Sequence, residues 1–338
     1  MEFNERVQYS PIPNRPPLAS SKELRLIVWP IVVLETWDIE RPMPRQIVPP
    51  PAARPVPDYM NWSWHEYEMR VAFWRLKAML DGKGIKPSVS INSAVCTTYR
   101  EVAEACRDAG WEFVAHGVTQ RPAGEIADEP AMIAQCIDEI RAFTGKRPRG
   151  WASPGVSQTR DTVDHLAGAG LEYACDWVLD DQPFEIKTKH GPLIGLPYTV
   201  DLNDVPTIAL ARQPIQKFKQ TICDAFDCLY REAESSVRIM TIVLHPYVCA
   251  TPARMKYIEE AFRKAPASCS GLGTPSWIGT DRRDSVPSSD KFSIYIPRGH
   301  HAVAQQSRTR HRRFARDWCR DRKAIECRRG PHFPRGAR

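Results

Sequence analysis

A distorted, incomplete (β/α)7-type barrel of the α/β class is the fold that this 338-residue sequence predicts. Three observations carry the expectation. Short apolar runs rich in β-branched residues alternate with amphipathic stretches of roughly 10–16 residues, the pattern of right-handed crossovers in a parallel sheet. About seven such units follow one another, and no Gly-x-Gly-x-x-Gly turn marks a doubly wound dinucleotide sheet. The apolar runs end in polar or aromatic clusters, as strands do when their carboxyl ends deliver side chains to a cleft.

Residues 1–22 are polar and proline-bearing and read as a loosely attached arm. Residues 24–34 are almost continuously apolar, as a strand buried on both faces should be, and end in Glu35-Thr36-Trp37-Asp38. A proline-rich crossing, 41–57, is long enough to cover a cleft. A helical pattern begins near Trp62, carries Met69, Phe73, Leu76 and Leu80 on one face, and stops at Gly82 and Gly84. Strands follow at 87–92 and 111–115, with a helix at 99–109 between them. The next helix, 129–144, has Ile133, Cys136, Ile137 and Ile140 on one face. Beyond it the pattern gives a strand end at 149–151, a helix at 159–169, strands at 173–175 and 193–197, a helix at 214–232 and a strand at 239–244. The expected organisation is an arm (1–22), a barrel domain (23–264) and a basic tail (265–338).

Hydrophobic residues make up 42% of the chain, enough for a sizeable core. The formal charge of +7 is unevenly spread. Residues 266–338 hold 16 Lys and Arg against 6 Asp and Glu, which leaves 31 against 34 for the rest. A nearly neutral body argues against a nucleic-acid enzyme and leaves the tail to be explained separately. The ten cysteines form no Cys-x-x-Cys pair, so free thiols in a reducing compartment are expected. No basic-then-apolar leader opens the chain, and 24–34 is too short to span a bilayer, so a soluble, cytoplasmic protein without a membrane partner is expected.

The stretch 110–121 is central, because an apolar strand ends there on His116-Gly117 and a polar turn. Taken singly, such residues have ordinary readings. A histidine there can be a core or capping residue, Arg149 a strand-end surface charge, Asp180-Asp181 a turn and Trp177 core packing. Taken in order they form a set. Glu35, His116-Gly117, Arg149-Gly150-Trp151 with Pro154, Asp176-Trp177 with Asp180-Asp181, and Leu244-His245-Pro246 resemble the five motifs of the polysaccharide deacetylase (NodB homology) family. The resemblance covers residues 24–264. It is nearest to the branch containing the metal-independent allantoinases, through Glu66-Tyr67, Arg70-Val71, Pro197-Tyr198-Thr199 and Asn203-Asp204. It implies a deacetylase-type β/α barrel and hydrolysis of a non-peptide carbon–nitrogen bond, usually an N-acetyl group on a sugar.

Two departures bear on mechanism. Metal-dependent members of that family carry Asp-x-Asp after the first strand and His-x-x-x-His in the second motif, where this chain has Glu35-Thr36-Trp37 and His116 followed by Gln120. An indole cannot ligate a divalent cation and a neutral amide is a weak partner for zinc, so no cofactor is expected; if zinc were held, His116 and Glu35 would be its ligands. The metal-free expectation gives each residue a role. Glu35 is the general base, Arg149 its orienting guanidinium, and His245 the general acid steadied by Asp176. His116, Gln120 and the backbone around Trp151 donate to the oxyanion, and Trp37, Trp151, Trp177 and Tyr198 wall the pocket, with Asp180 and Asp181 also facing substrate. The expected substrate is an amino sugar or a small cyclic amide or ureide. Two alternatives stay open: a catalytically inactive carbohydrate- or ureide-binding relative, and a protein that binds nucleic acid through its tail. Homo-oligomers are compatible with the sequence.

After Lys264 apolar periodicity ends and prolines, serines and arginines accumulate. Read one frame over, degenerate codons for residues 266–282 permit GVLFWTGDAELDWYRS, the type of strand and helix with which a member of that family should finish. The tail therefore reads either as a genuine basic segment or as out-of-frame translation, which sequencing of the gene across the Lys264 codon distinguishes.

Overall fold

The computed structural model describes residues 3–18, 26–43 and 56–264; the basic tail and the middle of the proline-rich crossing lie outside them. The spine is β1 (Leu26–Leu34), buried at every position. Pro30 is tolerated inside it for a local reason. Even-numbered residues of β1 face β2 (Ser88–Ile91), as the Asn92 N–H to Leu34 C=O bond shows, and pairing with β2 begins only at Ile31. The missing N–H of Pro30 therefore falls below the ladder.

After β1 come α1 (Tyr59–Tyr67), a π-helical turn (Glu68–Ala72) and α2 (Phe73–Gly82), then β2. Next are α3 (Arg100–Asp108), β3 (Glu112–Ala115), α4 (Glu129–Thr144), β4 (Gly150–Trp151), α5 (Thr162–Gly168) and β5 (Tyr173–Ala174). The hairpin of β6 (Phe184–Thr188) and β7 (Gly191–Gly195) follows, then α6 (Ile215–Glu232), β8 (Arg238–Leu244) and α7 (Pro252–Lys264). Among the described residues the sheet runs β6-β7-β5-β4-β3-β2-β1-β8, parallel throughout except for the antiparallel β6–β7 pair. It is the curled, incomplete barrel that the alternating pattern predicts. The antiparallel β6 is an addition, because its half-exposed sequence lacks the apolar run of a buried strand.

The seam between β8 and the hairpin side carries isolated contacts. Ile239 N–H donates to Asp181 C=O at 2.9 Å, Thr241 Oγ1 to Pro197 C=O at 2.5 Å, and Asn203 forms a parallel bridge with Val243. The described part of the amino-terminal arm, residues 3–18, crosses the same side and is not loosely attached. Buried Arg6 forks onto Asp164 at 3.0 and 2.9 Å and donates to the carbonyls of Arg160 and Lys187. Arg15 pairs with Asp180 at 2.6 Å, and Leu18 N–H donates to Ser236 Oγ at 3.0 Å. A buried cation paired through both terminal nitrogens converts a polar segment into a fixed one.

Candidate active site

The register places the key residues on one level. Leu34, Ile91, Ala115, Trp151, Ala174 and Gly195 are cross-strand partners in sequence around the sheet. The residues one step beyond them, including Glu35, Asn92, His116 and Ala152, therefore share the carboxyl rim. The ladder continues through that step, with Asn92, His116 and Ala152 donating N–H to the carbonyls of Leu34, Ile91 and Ala115. Gly117 then turns the chain with a left-handed φ of 72°, where a Cβ would lie 2.9 Å from Pro154 Cγ.

Glu35 is the centre of this rim. Its Oε1 lies 3.7 Å from His116 Nε2 and 3.9 Å from His245 Nε2, and all three side chains are buried. Each imidazole is held by its other nitrogen. His116 Nδ1 donates to Ala152 C=O at 2.6 Å, and His245 Nδ1 donates to Asp204 at 2.7 Å. Those acceptors fix the tautomers, so in the neutral rings both Nε2 lone pairs face the carboxylate. His116 Nε2 is buried without a hydrogen-bond partner among the described residues.

Asp204, not Asp176, steadies His245. It accepts from the His245 N–H at 2.8 Å as well as from the ring, and the buried Cys249 thiol faces it. It lies at the start of a second π-helical turn (Val205–Leu210), a local winding that recurs at functional sites. Asp176 instead accepts from Ser153 N–H at 2.6 Å, Ser153 Oγ at 2.7 Å and Gln158 Nε2 at 2.5 Å. Burial pushes its carboxyl above the ordinary range, while those bonds and the nearby His116 pull the other way. Through Ser153 it braces the segment whose Ala152 carbonyl holds His116.

The aromatic expectations divide. Trp37 is buried with its ring 4.3 Å from that of His65, which lies 4.5 Å from Tyr247, itself 6.0 Å from His245. Tyr198 is buried with its hydroxyl 3.1 Å from Asn203 Nδ2, and burial, together with the neighbouring Cys175, Asp176, Glu35 and Asp204, holds its phenol well above the usual range. Trp177 is half-buried and donates to Gln158 Oε1 at 2.8 Å. Trp151 is core, 1% exposed, with its indole N–H on Ser153 Oγ. The backbone around Trp151 is not free for an oxyanion, because the N–H groups of Ala152 and Ser153 already serve Ala115 and Asp176. Gln120 reaches the rim, with Oε1 3.5 Å from Asn92 Nδ2.

Arg149, Asp180 and Asp181 belong elsewhere. Arg149 precedes β4 and donates from Nε and Nη2 to Glu172 at 3.0 and 2.6 Å, on the amino side of the strands whose carboxyl ends carry Glu35 and His116. Asp180 is taken by Arg15, and Asp181 holds the amino end of β8 through its carbonyl. Sequence reasoning gave no role to Asp204, Asn92, Ser153 or His65; Asn203-Asp204 was visible as a motif, but nothing in the spacing tied it to His245.

The donor set does not fit the metal chemistry that the resemblance implies for other members. Among the described residues no group of three His, Cys, Asp or Glu is arranged to hold a metal ion, and Trp37 and Gln120 stand in two ligand slots.

Residues 65–174 match the family model described as polysaccharide deacetylase. A peptidoglycan deacetylase of Helicobacter pylori (strain ATCC 700392 / 26695) is 27% identical over 189 residues, covering 46% of this chain and 64% of that protein. The chain thus spans less than two thirds of that relative's length. Among solved structures, a probable polysaccharide deacetylase from Pseudomonas aeruginosa PAO1 superposes with a TM-score of 0.67 at 24% identity, covering 75% of this chain and 88% of that one. The Puue allantoinase superposes equally, with a TM-score of 0.67 at 22% identity and the same coverage of 75% and 88%. At these identities the structural likeness is one of fold. Residues 65–174 are thus similar to the polysaccharide deacetylase family, and the fold is similar to that of the two solved structures.

Proposed function

We propose that the protein hydrolyses a non-peptide carbon–nitrogen bond by general acid and base catalysis, with a small cyclic amide or ureide as substrate. The observation that supports this most is the convergence of Glu35 Oε1 with two imidazole Nε2 atoms inside 4 Å, each imidazole anchored through its other nitrogen. Glu35 takes a proton from the attacking water, and His245, stabilised as imidazolium by Asp204, returns one to the leaving nitrogen. His116 completes a buried, acceptor-rich wall complementary to a planar substrate with several N–H donors, which favours a ureide over the single N–H of an N-acetyl group. Trp37 and Tyr198 bound the cleft. A cytoplasmic setting belongs to the same proposal and is supported by the described cysteines, all of them free. Among the described residues no helix is long and apolar enough to cross a membrane.

A turnover screen of purified protein against cyclic ureides and N-acetylated oligosaccharides, with and without chelator, tests the reading. Ureide turnover that survives chelator and is abolished in Glu35→Gln supports it. Binding without turnover would leave an inactive relative, and loss of activity in chelator would return a metal to the site.

A further inference from the structure

Asn92 lies on the carboxyl rim between Glu35 and His116, is fully buried, and makes contacts that no motif anticipates. Its Oδ1 accepts from Thr36 N–H at 2.8 Å, directly beside Glu35. Its Nδ2 donates to the carbonyl of His116 and lies 3.5 Å from Gln120 Oε1. One planar amide thus reaches the segments after β1 and β3 while sitting at the end of the strand between them. The adjoining backbone adds to the same junction, with Ser93 N–H on Gly117 C=O and Gln120 N–H on Thr36 C=O.

We infer that Asn92 is a positioning residue that fixes the separation of Glu35 and His116 through the backbone atoms next to each. This deepens the proposed function and rests on it for the kinetic readout alone. The task needs an acceptor and a donor on one short, rigid group. Aspartate keeps the acceptor for Thr36 but sets a second acceptor against the His116 carbonyl, and alanine leaves both backbone groups buried and unpaired. The carboxylate and the imidazole stand just beyond hydrogen-bond length, where a displacement on the order of 1 Å can cost about 100-fold in rate.

The test compares wild type, Asn92→Ala and Asn92→Asp, with folding checked by circular dichroism. On the substrate found in the turnover screen, kcat is expected to fall about 100-fold in both variants while KM changes less than about 3-fold, as for a group that acts on geometry rather than on substrate binding. A second readout needs no turnover. The NMR signals of the His116 imidazole are expected to move on Glu35→Gln substitution in the wild-type background, and to move by less than half as much in the Asn92→Asp background. An undiminished shift, or kcat within about 3-fold of wild type in a folded variant, overturns the inference. Absence of any wild-type turnover would count against the proposed function, with the NMR comparison still deciding the role of Asn92. Should Asn92→Ala fail to fold, the nearly isosteric Asn92→Asp carries both readouts.

Discussion

The barrel holds a carboxylate at each end, Glu35 buried and Glu112 half-buried, and the two are built differently. At the carboxyl rim, Glu35 faces two imidazoles at 3.7 and 3.9 Å, too far for either to engage it in a tight bond. At the amino end, Glu112 accepts from Ser88 Oγ at 3.1 Å, and Ser88 in turn accepts from the Trp29 indole at 2.9 Å. Arg149 and Glu172 pair beside it, and the Tyr173 ring lies so close to Gly150 that a Cβ there would sit 2.0 Å from Cζ. Four residue steps along β3 take the chain from Glu112 to His116, a rise of about 13 Å. Where the proposed reaction transfers protons, two imidazoles are each held through Nδ1 with Nε2 towards Glu35. The groups at the amino end are joined to one another through a single Glu112 oxygen, Oε2, which accepts from Ser88. Enclosure alone therefore does not mark a candidate catalytic carboxylate; the two imidazoles aimed at Glu35 do.

Four measurements can break or sharpen that contrast. The largest effect is expected for Glu35→Gln, which should lower kcat by about 1,000-fold with little change in melting temperature. Comparable loss in Glu112→Gln would erase the distinction between the ends. Asp204→Asn should lower kcat by about 100-fold or more and distort the acid limb of the pH–rate profile, since His245 would lose the carboxylate that stabilises its imidazolium.

The third concerns stability and pH. Burial pushes the Glu112 carboxyl up to about 7, opposed in part by Ser88 and by the charge of Arg149. A carboxyl whose folded pKa exceeds its unfolded value favours the fold most at low pH. Unfolding free energy should therefore fall as pH rises from the ordinary carboxylate range through about 7, by at most about 3 kcal/mol at 1.36 kcal/mol per unit. Denaturant melts at pH 5 and 8 should show this slope in wild type and a weaker one in Glu112→Gln. The smallest effect belongs to Arg149→Ala. Its pair with Glu172 is about one third exposed, so the expected loss is about 1 kcal/mol of stability, with kcat within about 2-fold of wild type. A 100-fold loss of kcat in that variant would return Arg149 to the catalytic role that the sequence motif implies.

The sequence disclosed the barrel because its signals are periodic. The helix at 129–144 matches its observed bounds, and the β-branched runs of β1 and β8 stand out against their surroundings. Glu35, His116 and His245 were legible because each directly follows such a run. Arg149 was misplaced because β4 is only two residues long, too short for sequence to tell which of its ends a neighbour occupies. Asp180 and Asp181 were misplaced because the chain after β5 runs back to the amino end before the hairpin begins, and no local pattern records that reversal. The roles of Asp204 and Asn92 left no sequence signal for a related reason. Their partners are 41 residues away for Asp204, and 56 and 24 residues away for Asn92, and a hydrogen bond across such a span leaves no periodic trace.

One feature of the seam reaches into the chemistry. Asn203, which fastens β8 across the gap, is the immediate neighbour of Asp204, which orients His245. Glu35, Asn92 and His116 stand on strands joined by continuous ladders, whereas the carboxylate behind His245 arrives from the unlaced side. In the proposed reaction, unfastening the ring there would release the carboxylate behind His245 and leave Glu35 in place, so that sealing the seam and orienting His245 are a single act of folding.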